Sequence, residues 1–431
     1  MDLKQLEIRM NTAVSSTSII LFRIVFSTIL LIQTFYFFYN DFISENIIKP
    51  FILFPFIEGL NPASELTLII IGVIMLIANI GMIFNKTAKA ALLVFCSCFT
   101  YFWLLDKGYF NNHYYFISII CFLLFLINPQ SSFKQNILVP RMSLLALQVM
   151  VVMVYCISGI NKLNPYWLFD LQPMTHILEV KYEVTNNPIF TQKWLLIAMC
   201  YSGLLFDLFI GFLLIFKQTR VLGFIFVISF NIINFYLFRD IGEIGLFPFL
   251  MISTLILFIN PNKIRNILKL KNQKQHFIET SNLIKKFILL FLIIQAILPF
   301  RHIFFKGNVD YTGVGQRFSW RMKIMYKESI IEYFISDKLS QQKYSVDISK
   351  MLTPMQYNNL KYYPDLIIPL ANKIKSEARK KFNIKHPKIT CNYQTAFMGK
   401  NPQLLFSPEI DLTKISTKKL THQWLWDLKK E

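Results

Sequence analysis

Residues 104–125, LLDKGYFNNHYYFISIICFLLF, contain the end of one apolar run, a polar interruption and the start of the next. The chain is apolar from about residue 88 to Leu105 and again from Tyr114 to about residue 128. Between the two runs stand Asn111, Asn112 and His113, three adjacent hydrogen-bonding side chains for which a lipid-facing segment has no use. An alternation of this kind describes a chain that crosses a membrane and turns back, with its polar residues gathered at the turn. The whole sequence agrees: 431 residues are 54% hydrophobic and 16% charged, with 43 phenylalanines and a positive mean hydropathy.

Membrane helices announce themselves as runs of about 17 to 25 apolar residues. Nine are expected, near 18–39, 66–84, 88–105, 114–128, 143–161, 195–216, 221–238, 244–259 and 285–304, the fourth and eighth being short. The first is not a cleavable signal, because its polar flank is long and no small-x-small site follows it. Placing the N-terminus inside puts fifteen Lys and Arg on inner segments, among them Lys134, Arg141, Lys217, Arg220, Lys271 and Lys274, against six on outer ones, among them Lys107, Lys162 and Lys181. The expected fold is a polytopic α-helical membrane protein of about nine transmembrane helices with a small C-terminal α+β extracytoplasmic domain. The membrane domain covers 1–304 and the extracytoplasmic one 305–431. In a bacterial-type cell this is an inner-membrane protein with a cytoplasmic N-terminus and a periplasmic C-terminal domain. The net charge of +20 then reflects topology, and no nucleic-acid partner is expected. Five of the six cysteines lie in apolar runs, so no disulfide framework is expected.

On this topology the outer side collects the unusual polar residues. After the fifth helix comes YCISGINKLNPYWLFDLQPM, Tyr155–Met174, in which Gly159 permits close packing, Lys162 stands where the apolar run stops and Pro165 prevents helical continuation. A lysine there ordinarily snorkels to water as an anchor. The seventh helix carries Asn231 and Asn234 on one face, and the ninth ends in Arg301 and His302 before VGQRFSWRM, Val314–Met322. Each has an ordinary reading as interhelical glue or a headgroup anchor. Arg23 and Asp207, deeper on the first and sixth helices, are expected to pair with each other.

Taken in order, WLLDKGYFNNHYYF, SGINKLNPYW, GLLFDLFIGFLL, LPFRHIFFKGNVDYTGVGQRFSWRM and FSPEIDL resemble the vitamin K-dependent gamma-glutamyl carboxylase family, whose membrane part is the HTTM domain. The resemblance spans about residues 15–415 and is most specific at the N-N-H cluster, the G-x-N-K-L turn and R-F-S-W-R-M. It implies a membrane enzyme that couples O2-dependent oxidation of a reduced naphthoquinone (reduced vitamin K, such as menaquinol) to addition of CO2 at the γ-carbon of a peptide glutamate. By the same resemblance Lys162 is the catalytic base, and His113 with Asn112 completes the active site. The chemistry is consistent: a base for a hydroquinone hydroxyl must be an uncharged amine, and desolvation favours the neutral form. Arg317 and Arg321, whose planar guanidinium groups suit a carboxylate, are candidate substrate-binding residues together with Trp320 and Asn234. Asn111, Asn231 and Met322 are candidates for holding the quinol. No metal ligand is assigned. The partners implied are the bilayer, the lipid-soluble quinol and a glutamate-containing peptide or protein.

The chain departs from the family pattern at Phe230-Asn231-Ile232-Ile233-Asn234, where relatives carry F-H-x-x-N, and it lacks the usual glycine in LFDLQPM. A quinol epoxidase without carboxylation is therefore one alternative. A non-enzymatic transport or assembly protein is another, although no inverted repeat is visible. In the C-terminal region, SIIEYFISD and QKYSVDIS alternate around KLSQ as a hairpin. YYPDLIIPLANKIKSEARKKFNI has helical spacing despite Pro369, and KITCNYQTAF and PQLLFSPEIDL read as strands. The run Lys373, Lys375, Arg379, Lys380 and Lys381 is expected as a solvated helix face.

Overall fold

Each apolar run forms a helix, because backbone groups removed from water must be satisfied within their own segment. The computed structural model describes residues 3–127, 137–239, 244–270, 276–337, 342–381, 384–416 and 423–429. Lys134, Lys271, Lys274 and the KLSQ turn lie outside the described residues. The chain divides into two units, one made of Met1–Asn40, Leu66–Thr100 and His113–Leu298, the other of Asp41–Glu65, Tyr101–Asn112 and Pro299–Glu431.

The first unit is helical. Its helices are α1 (Leu3–Asn11), α2 (Thr17–Tyr39), α3 (Glu65–Ile83), α4 (Ala88–Leu104), α5 (Asn112–Ile127), α6 (Arg141–Asn161), α7 (Pro165–Leu168), α8 (Met174–Thr185), α9 (Lys193–Ile215), α10 (Arg220–Phe238), α11 (Phe247–Ser253), α12 (Pro261–Ile267) and α13 (Asn282–Ile297). Among the described residues six helices are long and apolar enough to cross a membrane, or seven if the pair 247–258 and 261–267, bent by 100°, is one span. Nine were expected. The shortfall has a physical reason: α4 and α5, with 17 and 16 residues, rise only about 24–26 Å against a hydrocarbon core of ~30 Å. The eighth segment is helical only over 247–258, and the chain bends by 100° before the next helix opens at Pro261. The helices leave apolar stripes uncovered, as on α13 at Leu283, Phe287, Leu290, Ile294 and Ile297, and these several long apolar helices suggest a multi-pass membrane protein.

At the centre of the unit α6 packs against α9 at glycine-lined crossings. A Cβ on Gly159 would come within 2.8 Å of the Leu208 backbone nitrogen, and one on Gly211 within 2.6 Å of Val152 Cγ1. Small residues here let two backbones approach as larger ones cannot. Phe206 of α9 stacks on Phe230 of α10 at 3.8 Å, extending the layer. At the end where α2 and α6 begin, three short strands β1 (Ala13–Ser15), β2 (Ile137–Pro140) and β3 (His276–Phe277) pair in that order.

The second unit is α+β. A sheet of order β5-β4-β6-β7 is formed by β4 (Lys327–Asp337), β5 (Lys343–Val346), β6 (Pro387–Phe397) and β7 (Gln403–Leu404). It is accompanied by α14 (Val309–Thr312), α15 (Pro354–Leu360) and α16 (Ile367–Lys381). The expected hairpin is β4 with β5, antiparallel. Pro369 sits in the first turn of α16, where its missing N–H costs nothing. On α16, Lys375 donates to Thr413 Oγ1 at 2.7 Å, so the basic face is partly tied down. Cys391 is buried on β6. Segments 41–65 and 101–112, assigned from sequence to the membrane domain, join this unit through Gln356, which donates to Ile52 O at 2.8 Å and to Asp106 Oδ2 at 2.6 Å.

Candidate active site

The stretch after α6 folds as its residue types dictate. The helix stops at Asn161, Lys162 occupies the C-cap, and Asn164 restarts the chain by accepting the Trp167 N–H at 3.0 Å with Pro165 at the first position of α7. This turn brings the Trp167 ring over the Lys162 ammonium position at 5.1 Å, while its indole N–H donates to Cys200 O at 3.0 Å. The Lys162 amine contacts Asp207 Oδ2 directly. Lys162 is 5% exposed and Asp207 3%, so both groups of the pair are withdrawn from solvent.

Two expectations change here. Asp207 does not pair with Arg23, whose guanidinium donates to Asn85 Oδ1 and to Ile83 O. Nor is Lys162 a snorkelling anchor: Asp207 lies fourteen residues, roughly 21 Å, along α9 from Lys193, so the amine sits beside the interior of that helix. Lys181, counted with the outer loops, is also buried and donates to Tyr236 O at 2.7 Å. Asp207 is the residue that sequence reasoning misassigned. Its signal was visible as a lone carboxylate inside GLLFDLFIGFLL, which requires a partner but does not name it.

Asn231 joins the same layer. Its amide donates to Val227 O at 2.8 Å and, more weakly, to Tyr155 Oη at 3.4 Å, and Tyr155 packs edge-on against Phe206 beside Asp207. Asn234, one turn on, is half-buried. His113 is the second residue of α5, its ring 5.4 Å from that of Phe247. Among the described residues no hydrogen bond joins His113 to Lys162. Asn112 opens α5, and its Oδ1 is buried without a hydrogen-bond partner among the described residues. Asn111 precedes it and is half-buried.

The R-F-S-W-R-M block belongs to the second unit and is tightly wound. Phe318 and Trp320 have φ of 62° and 53°, the left-handed region that large side chains avoid. Trp320 is buried and Met322 half-buried. Both candidate carboxylate-binding arginines already hold carboxylates. Arg321 is bidentate on Asp310, Nε to Oδ1 at 2.7 Å and Nη2 to Oδ2 at 2.6 Å, with both side chains buried. Arg317 donates to Asp365 Oδ2 at 2.7 Å and lies 3.9 Å over the Tyr363 ring. Asp106 is also buried in this unit, its carboxyl pushed up to about 6 by desolvation against the opposing hydrogen bonds from Gln356 and Gly108.

Residues 11–262 match the family model of the HTTM domain, and residues 280–431 match that of the vitamin K-dependent gamma-carboxylase lumenal domain. The first match alone covers more than half of the chain. The chain belongs to the vitamin K-dependent gamma-glutamyl carboxylase family. The two matches together take in the Lys162–Asp207 pair, the N-N-H cluster and the R-F-S-W-R-M block of this carboxylase-family chain. No solved structure matches it.

Proposed function

We propose that this protein is a membrane carboxylase that couples O2-dependent epoxidation of a reduced naphthoquinone to γ-carboxylation of peptide glutamate. On this reading the helical unit is the catalytic membrane domain. Residues 305–431 lie outside the inner membrane of a bacterial-type cell, where a peptide arrives from water and a quinol from the bilayer. The observation that carries the reading is the buried Lys162–Asp207 contact, an amine held away from water with a proton acceptor built against it. Asp207 fixes the Lys162 amine in place, with both groups withdrawn from solvent. The amine then accepts a proton from a substrate hydroxyl, and the new ammonium faces the oxyanion it has created. Trp167 over the amine keeps water from competing for that proton.

The bound naphthoquinol supplies the reducing equivalents that activate O2, with CO2 as co-substrate. A hydroxyl-bearing group suits Asn112, whose buried Oδ1 is an acceptor still lacking a donor among the described residues. Asn112 and His113 would hold the quinol, with Asn234 beside the same layer. Arg321, engaged on Asp310, is not carried forward as the carboxylate-binding residue. Epoxidation without carboxylation is the second reading. It is favoured by Asn231, which bonds Val227 and Tyr155 where family members place a histidine.

The test uses purified protein with menaquinol, O2, labelled bicarbonate and a glutamate peptide, with epoxide and fixed label measured separately. Lys162→Arg places beside Asp207 a guanidinium that cannot give up its proton. Both products should vanish with the fold retained, and full activity in this variant would remove Lys162 from the mechanism. Epoxide without fixed label in the wild type selects the second reading.

A further inference from the structure

We propose a second site, unrelated to the chemistry above: a binding slot for one anionic phospholipid at the end of the helical unit where α6 and α10 begin and α9 stops. The slot has a volume of about 640 Å³. Its mouth carries Arg141, Lys217 and Arg220, and none of the twenty described residues that line it is acidic. Arg220 is fixed there by donating from Nε and Nη2 to Leu214 O and Ile215 O, both at 2.9 Å, which caps the end of α9. Arg141 and Lys217 are exposed, and their side chains make no hydrogen bond or ion pair with the described residues. The mouth is thus a cationic site without a counter-charge among the described residues of its walls.

Below the mouth the slot is mostly apolar, and the Gln148 amide is engaged on Leu257 O at 2.8 Å. Leu145, Val149 and Met153 follow one another at four-residue spacing on α6 and line one wall. From Arg141 to Met153 is twelve residues, about 18 Å, comparable to one leaflet of a ~30 Å hydrocarbon core. An occupant must be anionic at one end and apolar for about that length. A phospholipid with an anionic headgroup meets both conditions. A neutral quinol brings no charge for Arg141 and Lys217, and free phosphate leaves the apolar wall unused. The basic ends of membrane helices hold anionic headgroups by the same charge complementarity. The mouth lies at the opposite end of α6 from Lys162, about 30 Å away, so binding can be measured without reference to catalysis.

The experiment is native mass spectrometry of the delipidated full chain in nonionic detergent. It is titrated with phosphatidylglycerol, with phosphatidylcholine of the same acyl chains, with glycerol phosphate and with menaquinol. Phosphatidylglycerol should be retained as a single copy, while the other three neither bind comparably nor displace it. R141Q/K217Q should weaken retention roughly ten- to thirty-fold. Val149→Trp fills the slot and should abolish retention with every cation intact. Both changes are at solvent- or lipid-exposed positions, so either variant alone decides. Equal retention of phosphatidylcholine, displacement by glycerol phosphate or by menaquinol, or unchanged phosphatidylglycerol binding in either variant overturns the site.

Discussion

An aspartate inside a 23-residue apolar helix is costly unless something answers it. At Asp207 the answer is the amine of Lys162, and the two must be understood together. Removing one member of a buried pair strands the other, at about 3–5 kcal/mol, whereas removing both is close to neutral. Lys162→Met and Asp207→Asn should therefore each lower thermal stability in detergent markedly, and the double variant should recover most of the loss. Simple additivity in that cycle would show that the pair contributes no coupling. The role of Asp207 in positioning the amine has its own signature. Asp207→Glu should keep turnover with an altered pH profile, whereas Asp207→Asn should lose roughly 10²–10⁴-fold, measured on the folded fraction.

Elements meet where their shapes allow it, and the α6–α9 crossing depends on glycine. A methyl group on Gly159 would run into the Leu208 backbone at 2.8 Å, so that α9 must move. Gly159→Ala should cost about 1–3 kcal/mol and, by displacing Lys162 from Asp207, about 10²-fold in turnover. Gly203 on α9 is the control, since its nearest neighbour, Trp167 Cζ2, is 3.9 Å away. Gly203→Ala should leave turnover intact. Equal losses in the two variants would mean that general helix perturbation, and not the crossing, is responsible.

Across the whole molecule, the second unit carries buried charges whose titration reaches global stability. Lys327 at the start of β4 donates to Tyr311 O at 2.7 Å, and burial lowers it to about 7, with nearby Asp310 opposing. Between about 7 and the ordinary 10.5 the unfolded chain binds the proton that the folded one lacks, so stability rises with pH there, by at most about 1.4 kcal/mol per unit. Asp106 acts in the other direction. Its carboxyl is raised from 3.8 to about 6, so the folded state holds the extra proton between those values and stability falls as pH rises. The two contributions together leave a minimum between about pH 6 and 7. Thermal unfolding of the full chain across this range should show it. Lys327→Met should remove the alkaline rise and leave the acid limb; an alkaline rise that persists in this variant assigns the effect elsewhere.

The long apolar helices, the turn at Asn164-Pro165 and the β4–β5 hairpin were legible in the residues. Run length, capping and alternation act over a few neighbours, and the chain states them locally. Periodicity also required that Asp207 have a partner. It could not choose between Arg23 and Lys162, because the choice depends on how deeply α6 sits along α9, and that depth follows from Gly159 meeting Leu208 and Gly211 meeting Val152. Likewise nothing local announces that Arg321 will be taken by Asp310, or that 41–65 and 101–112 belong with the C-terminal sheet. The local pattern determined which segments are helices and which polar groups must be satisfied. The tertiary structure alone decided which group satisfies which, because that is settled by contacts between residues far apart in the chain, where shape and burial, not spacing, select the partner.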